Sequence, residues 1–311
     1  MDTSPLNLRW QPIIILLILS LIWGTNMAVI KIGSREMGSL FMAGTRSLVA
    51  SLCLMVWIKC KGVPLFPSRS VLGHGLVIGL MFGGEFSLVY VGLEYTLASR
   101  MYILVYTAPF FAAAGAHFFL KGDRINPWKA TGLVIAFVGV VILFAKDLGV
   151  LSLQTLPGDL MGLAAGGLWG GTTVYLKKNL AHRCLPLQTL FYQVFFSAPF
   201  LLVLALVFER PMIWGFSPAS AFSLFFQCII VAFLSYLVWF EMIHRLPVSL
   251  LHAFSFFTPV FGVFLSGALI LGEPIQLRLV LALGFVSMGL VLVNRIPKAR
   301  LETKPWRKPK A

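Results

Sequence analysis

The sequence predicts an all-α polytopic membrane protein: ten transmembrane helices arranged as two inverted five-helix repeats. Three observations predict it. Hydrophobic residues fill 59 % of the 311 positions and charged residues only 12 %, more apolar surface than a water-soluble chain of this length can bury. The apolar residues fall into about ten segments, each near the ~20 residues that cross ~30 Å of hydrocarbon. The second five segments echo the first five: Trp23-Gly24 recurs as Trp169-Gly170, Ala108-Pro109 as Thr258-Pro259, Gly122-Asp123 as Gly272-Glu273, and Gly139 as Gly289, at offsets of 146, 150, 150 and 150. Five spans is an odd number, so the second copy enters the membrane upside down, the architecture of alternating-access carriers.

The predicted spans are 13–32, 39–58, 71–92, 98–119, 126–145, 158–178, 187–207, 219–242, 249–271 and 277–296. They are helices, because lipid cannot satisfy an exposed backbone and the segments are too long for barrel strands. Short turns punctuated by Gly and Pro join them, among them Gly62-Val63-Pro64, Asn126-Pro127 and Gly272-Glu273-Pro274. The organisation follows: 1–148 is the first repeat, 149–296 the second and inverted one, and 297–311 a basic tail. The first segment is too long for a signal h-region and lacks a small-residue cleavage site, so it reads as a retained span. Gly75, Gly79 and Gly83 in span three, and Gly158, Gly162, Gly166 and Gly170 in span six, recur at spacing four. Such stripes let helix backbones approach closely and predict packing seams.

The formal net charge of +14 resembles a nucleic-acid signal until the charges are placed. With the N-terminus cytoplasmic, 18 of the 25 basic residues fall inside and six outside, namely Lys31, Arg35, Arg100, Lys146, Arg210 and Arg278; Arg46 lies within a span. That bias predicts both termini in the cytoplasm, with the basic tail along anionic headgroups. Nucleic acid is not an expected partner; membrane lipid is. Four cysteines show no Cys-x-x-Cys spacing, so no disulfide, metal or other cofactor is expected. No Gly-x-x-x-x-Gly-Lys is present, so ATP is not the direct energy source. The lack of His-Glu-x-x-His, Gly-x-Ser-x-Gly and paired intramembrane aspartates disfavours an enzyme.

These features together resemble the drug/metabolite transporter superfamily, in particular its EamA-type branch. The resemblance rests on the early Trp-Gly of spans one and six and the mid-span Ala-Pro and Thr-Pro of spans four and nine. It rests also on the Phe-Leu-Lys-Gly-Asp-Arg of 119–124 and the Leu-Ile-Leu-Gly-Glu-Pro of 269–274, which stand where that family has a Leu-Gly-Glu turn. It covers nearly the whole chain and implies a ten-helix carrier with a central cavity formed by both halves. It implies residence in the bacterial inner membrane and favours export of an amino acid or related amphipathic compound. Uptake of a vitamin or nucleotide-like metabolite is the rival within carriers, and a channel or scaffold the rival of another class. Coupling to protons or simple facilitated flow, and a monomer or a dimer, all stay open.

Candidate transport residues come in symmetric pairs. Pro109 and Pro259 each remove a mid-helix hydrogen bond, as hinges or as fixed bends. A turn-spaced stripe of Ser99, Tyr102, Tyr106 and Pro109 has its mate in Ser249, His252, Phe256 and Pro259. Spacing of three and four puts each stripe on one helical face, where polar groups need protein or water. Trp23 and Asn26 match Trp169 and Thr172. The substrate-binding set predicted from this reading is Trp23, Asn26, Glu85, Tyr102, Tyr106, Trp169, Thr172, His252 and Ser255. Trp239 and Tyr236, late in span eight, are weaker cavity candidates that read also as interfacial anchors. Two full charges lie deep in spans. Arg46 can snorkel to the outer surface, and its counterpart is the neutral Gln193. Glu85 points away from the glycine seam of its helix, so it is expected to face the interior. Its counterpart near Ala232 is uncharged. Counter-ion to a substrate amine, proton carrier, and partner of Arg46 are its three candidate roles.

Overall fold

The computed structural model describes residues 10–145, 152–265 and 277–294. The Gly272-Glu273 turn, the linker 146–151 and the basic tail lie outside the described residues. Ten helices follow in order: α1 (Trp10–Gly33), α2 (Ser39–Cys60), α3 (Arg69–Gly92), α4 (Ala98–Phe119), α5 (Pro127–Phe144), α6 (Leu156–Asn179), α7 (Pro186–Phe208), α8 (Pro218–Arg245), α9 (Val248–Val263) and α10 (Leu277–Asn294). All but α6 and α9 are long and apolar enough to cross a membrane by length and composition alone. Glycine and threonine dilute the hydropathy of α6, and α9 is shorter, Val248–Val263, among the described residues. Where both ends of a span are described, the predicted bounds agree to within three residues.

The inversion is visible in what the helix ends touch. α1 begins at the end of the bundle where α2 finishes. α6 begins at the opposite end, where the glycine seam of its first turn leaves Gly158 against Gly92 and Thr96. The close contacts obey the same pseudo-symmetry. A Cβ at Gly24 would stand 2.7 Å from Gly262 N and 2.8 Å from Thr258 O; a Cβ at its mate Gly170 would stand 2.7 Å from both Ala112 N and Ala108 O. The α5/α10 pair repeats the logic. A Cβ at Gly132 would stand 2.5 Å from Gly289 O and one at Gly139 2.9 Å from Ala282 O, and the repeat maps one close approach onto the other. The Trp-Gly motif therefore has a physical reading. Its glycine lets α1 lie against the kink of α9, and α6 against that of α4, while the tryptophan beside it projects elsewhere. The α3 glycines pack on α7, at Tyr192, Phe196 and Phe200, as their spacing predicts.

Pro109 and Pro259 do not kink continuous helices. Each follows a break. The helical run of α4 stops at Val105 and restarts at Ala108; that of α9 stops at Ser255 and restarts at Phe257. The break residues Tyr106 and Phe256 are themselves repeat mates. Proline near the start of a helical run is favourable, because the missing N–H has no partner there. In α8, residues Phe226–Ser235 form a π-helix, a winding that recurs at functional sites.

The Gly-Asp turn after α4 is a cap for a distant helix. Gly122 adopts φ +87°, open to glycine and costly for other residues. This swings Asp123 to the start of α9. Its Oδ2 accepts from Ser249 N at 3.0 Å and its Oδ1 from the Ser249 hydroxyl. Lys129 Nζ balances the charge at 2.7 Å. A carboxylate at a helix N-terminus satisfies free N–H groups and meets the positive end of the helix dipole.

Candidate functional site

A cavity of about 340 Å3 lies between the repeats, lined by helices of both. Its walls are aromatic. Trp23 of α1 packs edge-on against Trp239 and Tyr236 of α8, with centroids 4.9 and 5.9 Å apart, and donates from Nε1 to Ser235 Oγ at 2.9 Å. Its mate Trp169 of α6 packs edge-on against Tyr106 at 5.8 Å. Phe82, Phe86 and Tyr90 complete the wall on the α3 side. Asn26, Thr172, Thr173 and Gln193 supply neutral polar groups, and Arg46 and Glu85 one charge of each sign.

The cavity reaches the end of the bundle carrying the 33–39 and 92–98 turns, with Lys31, Ser34, Ser39 and Ala98 on its rim. Carboxylates tie the loops there. Glu209, at the end of α7, accepts from Leu40 N and Phe41 N at 2.7 and 2.8 Å and so caps α2. Glu36 returns the favour at α8, accepting from Ser217 N at 2.7 Å and from the Ser220 hydroxyl. These hydrogen bonds hold the Glu36 carboxyl below its ordinary 4.5. Asp159 of α6 pairs with Arg100 and accepts from Thr96 Oγ1 at 2.7 Å, tying α6 to α4.

The other end is sealed. The deepest lining residues toward it are Leu176 and Ile243. Directly behind them Lys177 Nζ donates to Ile243 O and, at 3.0 Å, to Leu246 O. Thr189 Oγ1 meets His244 Nε2 at 3.3 Å, Tyr192 donates to Leu65 O at 2.6 Å, and Asp123 holds α9.

The structure brings seven of the nine sequence-predicted residues to one cavity: Trp23, Asn26, Glu85, Tyr102, Tyr106, Trp169 and Thr172. His252 and Ser255 do not line it. His252 is fully buried behind the wall, its ring 5.3 Å from Trp169 and 5.8 Å from Trp239. The Thr173 hydroxyl donates to Trp169 O at 3.2 Å, so His252 Nε2–H donates to Thr173 Oγ1 at 2.9 Å, which leaves Nδ1 a bare acceptor. Ser255 donates to His252 O at 2.7 Å. Tyr236 and Trp239 line the cavity rather than a lipid interface, which corrects the interfacial reading. Arg46 does not snorkel; it is 1 % exposed and faces the cavity. Sequence reasoning missed Tyr90 and ranked the α8 aromatics below the other candidates. The only available signal was the stepping of Ser235, Tyr236 and Trp239 along one apolar helix.

A family model described as the EamA-like transporter family matches residues 10–145 and 156–295. The chain belongs to the EamA-like transporter family. It is an integral, multi-pass membrane transporter. Among its relatives is the protein called uncharacterized transporter YoaV in Bacillus subtilis, 24 % identical over 88 % of this chain and 93 % of its own. Another, in Salmonella typhimurium, carries the name probable amino-acid metabolite efflux pump and is 26 % identical over 83 % of this chain and 86 % of its own. A solved crystal structure superposes with a TM-score of 0.77 at 19 % identity, covering 90 % of this chain and 95 % of that one, which speaks for the fold.

Proposed function

We propose that this EamA-like transporter is a secondary carrier that exports an amino acid or a related amphipathic compound by alternating access. The observation that carries the reading is the aromatic cavity with one carboxylate, open toward one end of the bundle and closed off by Lys177 toward the other. Aromatic walls suit an apolar side chain, and Glu85 suits an amine. The efflux name of the Salmonella relative supports the direction and the class. The 18-to-6 bias in basic residues supports a cytoplasmic sealed end, so this conformation faces outward. Lacking a nucleotide motif, the carrier runs on the proton-motive force or on the solute gradient.

The test is counterflow in proteoliposomes with Glu85→Gln. As counter-ion to a substrate amine, Glu85 predicts weakened exchange of amine-bearing solutes with neutral analogues spared. As proton carrier it predicts a flattened pH dependence with counterflow largely intact, since exchange needs no net proton movement. As partner of Arg46, which acts on Glu85 through space without a direct ion pair among the described residues, it predicts a lower folded yield that the added Arg46→Gln change restores. Normal exchange, pH profile and yield in Glu85→Gln would remove this residue from the site. Absence of saturable counterflow for a broad amino-acid panel would favour a channel or scaffold.

A further inference from the structure

We infer that Arg46 is the cavity's receptor for a carboxylate, so that the cargo carries one. This rests on the carrier reading above and narrows its substrate class to carboxylate-bearing amphiphiles.

Arg46 sits within α2, almost fully buried, with its side chain in the cavity wall. Its Nε and Nη2 have no hydrogen-bond partner among the described residues. The ion pairs among the described residues join Arg100 to Asp159, Lys129 to Asp123 and Arg245 to Glu241; none reaches Arg46. What the guanidinium does touch is the face of Phe86, with its central carbon 4.2 Å from the ring centroid. A cation–π contact offsets only part of the cost of taking a cation out of water. Idle donors in a low-dielectric wall are costly unless something arrives to meet them. Glu85, the acid of the same cavity, acts on Arg46 through space but forms no ion pair with it among the described residues, so water or cargo in the cavity is the acceptor these donors can meet.

The geometry favours a carboxylate. The guanidinium fork offers parallel N–H donors that match a carboxylate two at a time. Phe86 covers a face of the fork, and the unpartnered donors lie on its edge. The charge balance agrees. One base and one acid lie deep in the cavity, so a solute with one negative and one positive group leaves no uncompensated charge. A dianion would face Glu85 unanswered. The repeat mate of Arg46, Gln193, also lines the cavity but is neutral, so the repeat supplies one anion subsite and not two.

The test needs no knowledge of the cargo. In full-length protein with its four native cysteines replaced by serine, Asn26→Cys places a thiol on the cavity wall. Its rate of modification is measured with carboxyethyl methanethiosulfonate, an anionic carboxylate, and with the neutral propyl reagent. With Arg46 present the ratio of the two rates should favour the carboxylate. Arg46→Gln should lower that ratio on the order of tenfold, the scale of one unit charge a few ångströms away at a partly buried site. Arg46→Lys, which keeps the charge but loses the fork and guards against simple misfolding, should retain only part of the preference. Glu85→Gln should raise it. A ratio unmoved by Arg46→Gln, with both reagents still reacting, would overturn the receptor while leaving the carrier reading intact. No reaction with either reagent would mean that no wet cavity exists, and both readings would fall.

Discussion

Lys177 is the latch of the sealed end, and its removal is the perturbation with the most readable consequence. The ammonium donates to Ile243 O in the last turn of α8 and, at 3.0 Å, to Leu246 O at its C-cap. Those carbonyls carry the negative end of the helix dipole, so the bonds are charge-assisted and worth ~1.5–3 kcal/mol each. Lys177→Met removes both. It also removes the cost of holding a cation in a largely dry site, several kcal/mol by itself. The difference left against the sealed state is ~1–3 kcal/mol, which displaces the sealed-to-open equilibrium by roughly 5–150-fold. The assay is thiol access from the basic end. Leu180 is fully buried near the close of α6, so Leu180→Cys should react slowly with an impermeant reagent in the parent protein. In the Lys177→Met background it should react faster by a factor in that range, with the fluorescence-detected elution profile unchanged. Equal rates in the two backgrounds would refute the latch and leave the sealed end held by packing alone.

Other perturbations have equally definite outcomes. Gly24→Val and Gly170→Val each drive a branched side chain into a neighbouring backbone closer than 3 Å, an overpacking cost of ~1–3 kcal/mol or more; both should lose monodisperse protein in size-exclusion chromatography, whereas Gly73→Val, which meets nothing within 4 Å, should not. The Glu36 carboxyl is held below 4.5 by Ser220 and Ser217. A group with a lower folded pKa contributes stability that is present above the unfolded value and lost as pH falls through the folded one. Thermal unfolding followed downward from pH 5 should therefore fall more steeply in the parent than in Glu36→Gln, and parallel curves would remove the clamp. A reporter active only outside the membrane and fused after Ala311 should be silent; activity there would contradict the cytoplasmic tail.

The spans and the repeat were legible because each leaves a local mark. Apolar length marks a span, and a repeated dipeptide marks a repeat. The structure gives those marks their physics, with Gly24 and Gly170 in backbone contact and Gly122 turning Asp123 onto α9. What the sequence hid is long-range. Nothing near Glu36 or Glu209 announces that each caps a helix of the other repeat, since a cap is a relation between distant residues and has no period. The breaks at Tyr106 and Phe256 lie a few residues before the prolines, because proline obstructs the preceding turn and the chain yields there. Arg46 read as a snorkelling residue because depth along a helix is visible in sequence, whereas the neighbour it faces is not. Trp239 and Tyr236 read also as interfacial for the same reason.

Within the cavity, symmetry ends where charge begins, and the reason is physical. Gly24 and Gly170, Gly132 and Ala282, Tyr106 and Phe256 repeat because packing two inverted copies requires the same close approach at both places. Were Arg46 repeated at Gln193, two guanidinium groups would share a cavity of about 340 Å3, and like charges in so small and partly dry a space repel strongly. Were Glu85 repeated near Ala232, a second carboxylate would enter the π-helical stretch of α8, between Val231, which lines the cavity, and Ser235, which receives Trp23. A fold built from two copies can hold one charged subsite of each sign only by breaking its own repeat. Trp23 and Trp169 show the converse. They are uncharged, so both copies are kept, and they give the cavity matched aromatic walls. The cargo is thus gripped by symmetric surfaces and oriented by asymmetric charges. Restoring one symmetry at a time separates the two roles: Gln193→Arg should disturb binding and folded yield through charge repulsion, whereas exchanging Trp23 or Trp169 for phenylalanine should weaken transport and leave the charge preference of the cavity unchanged.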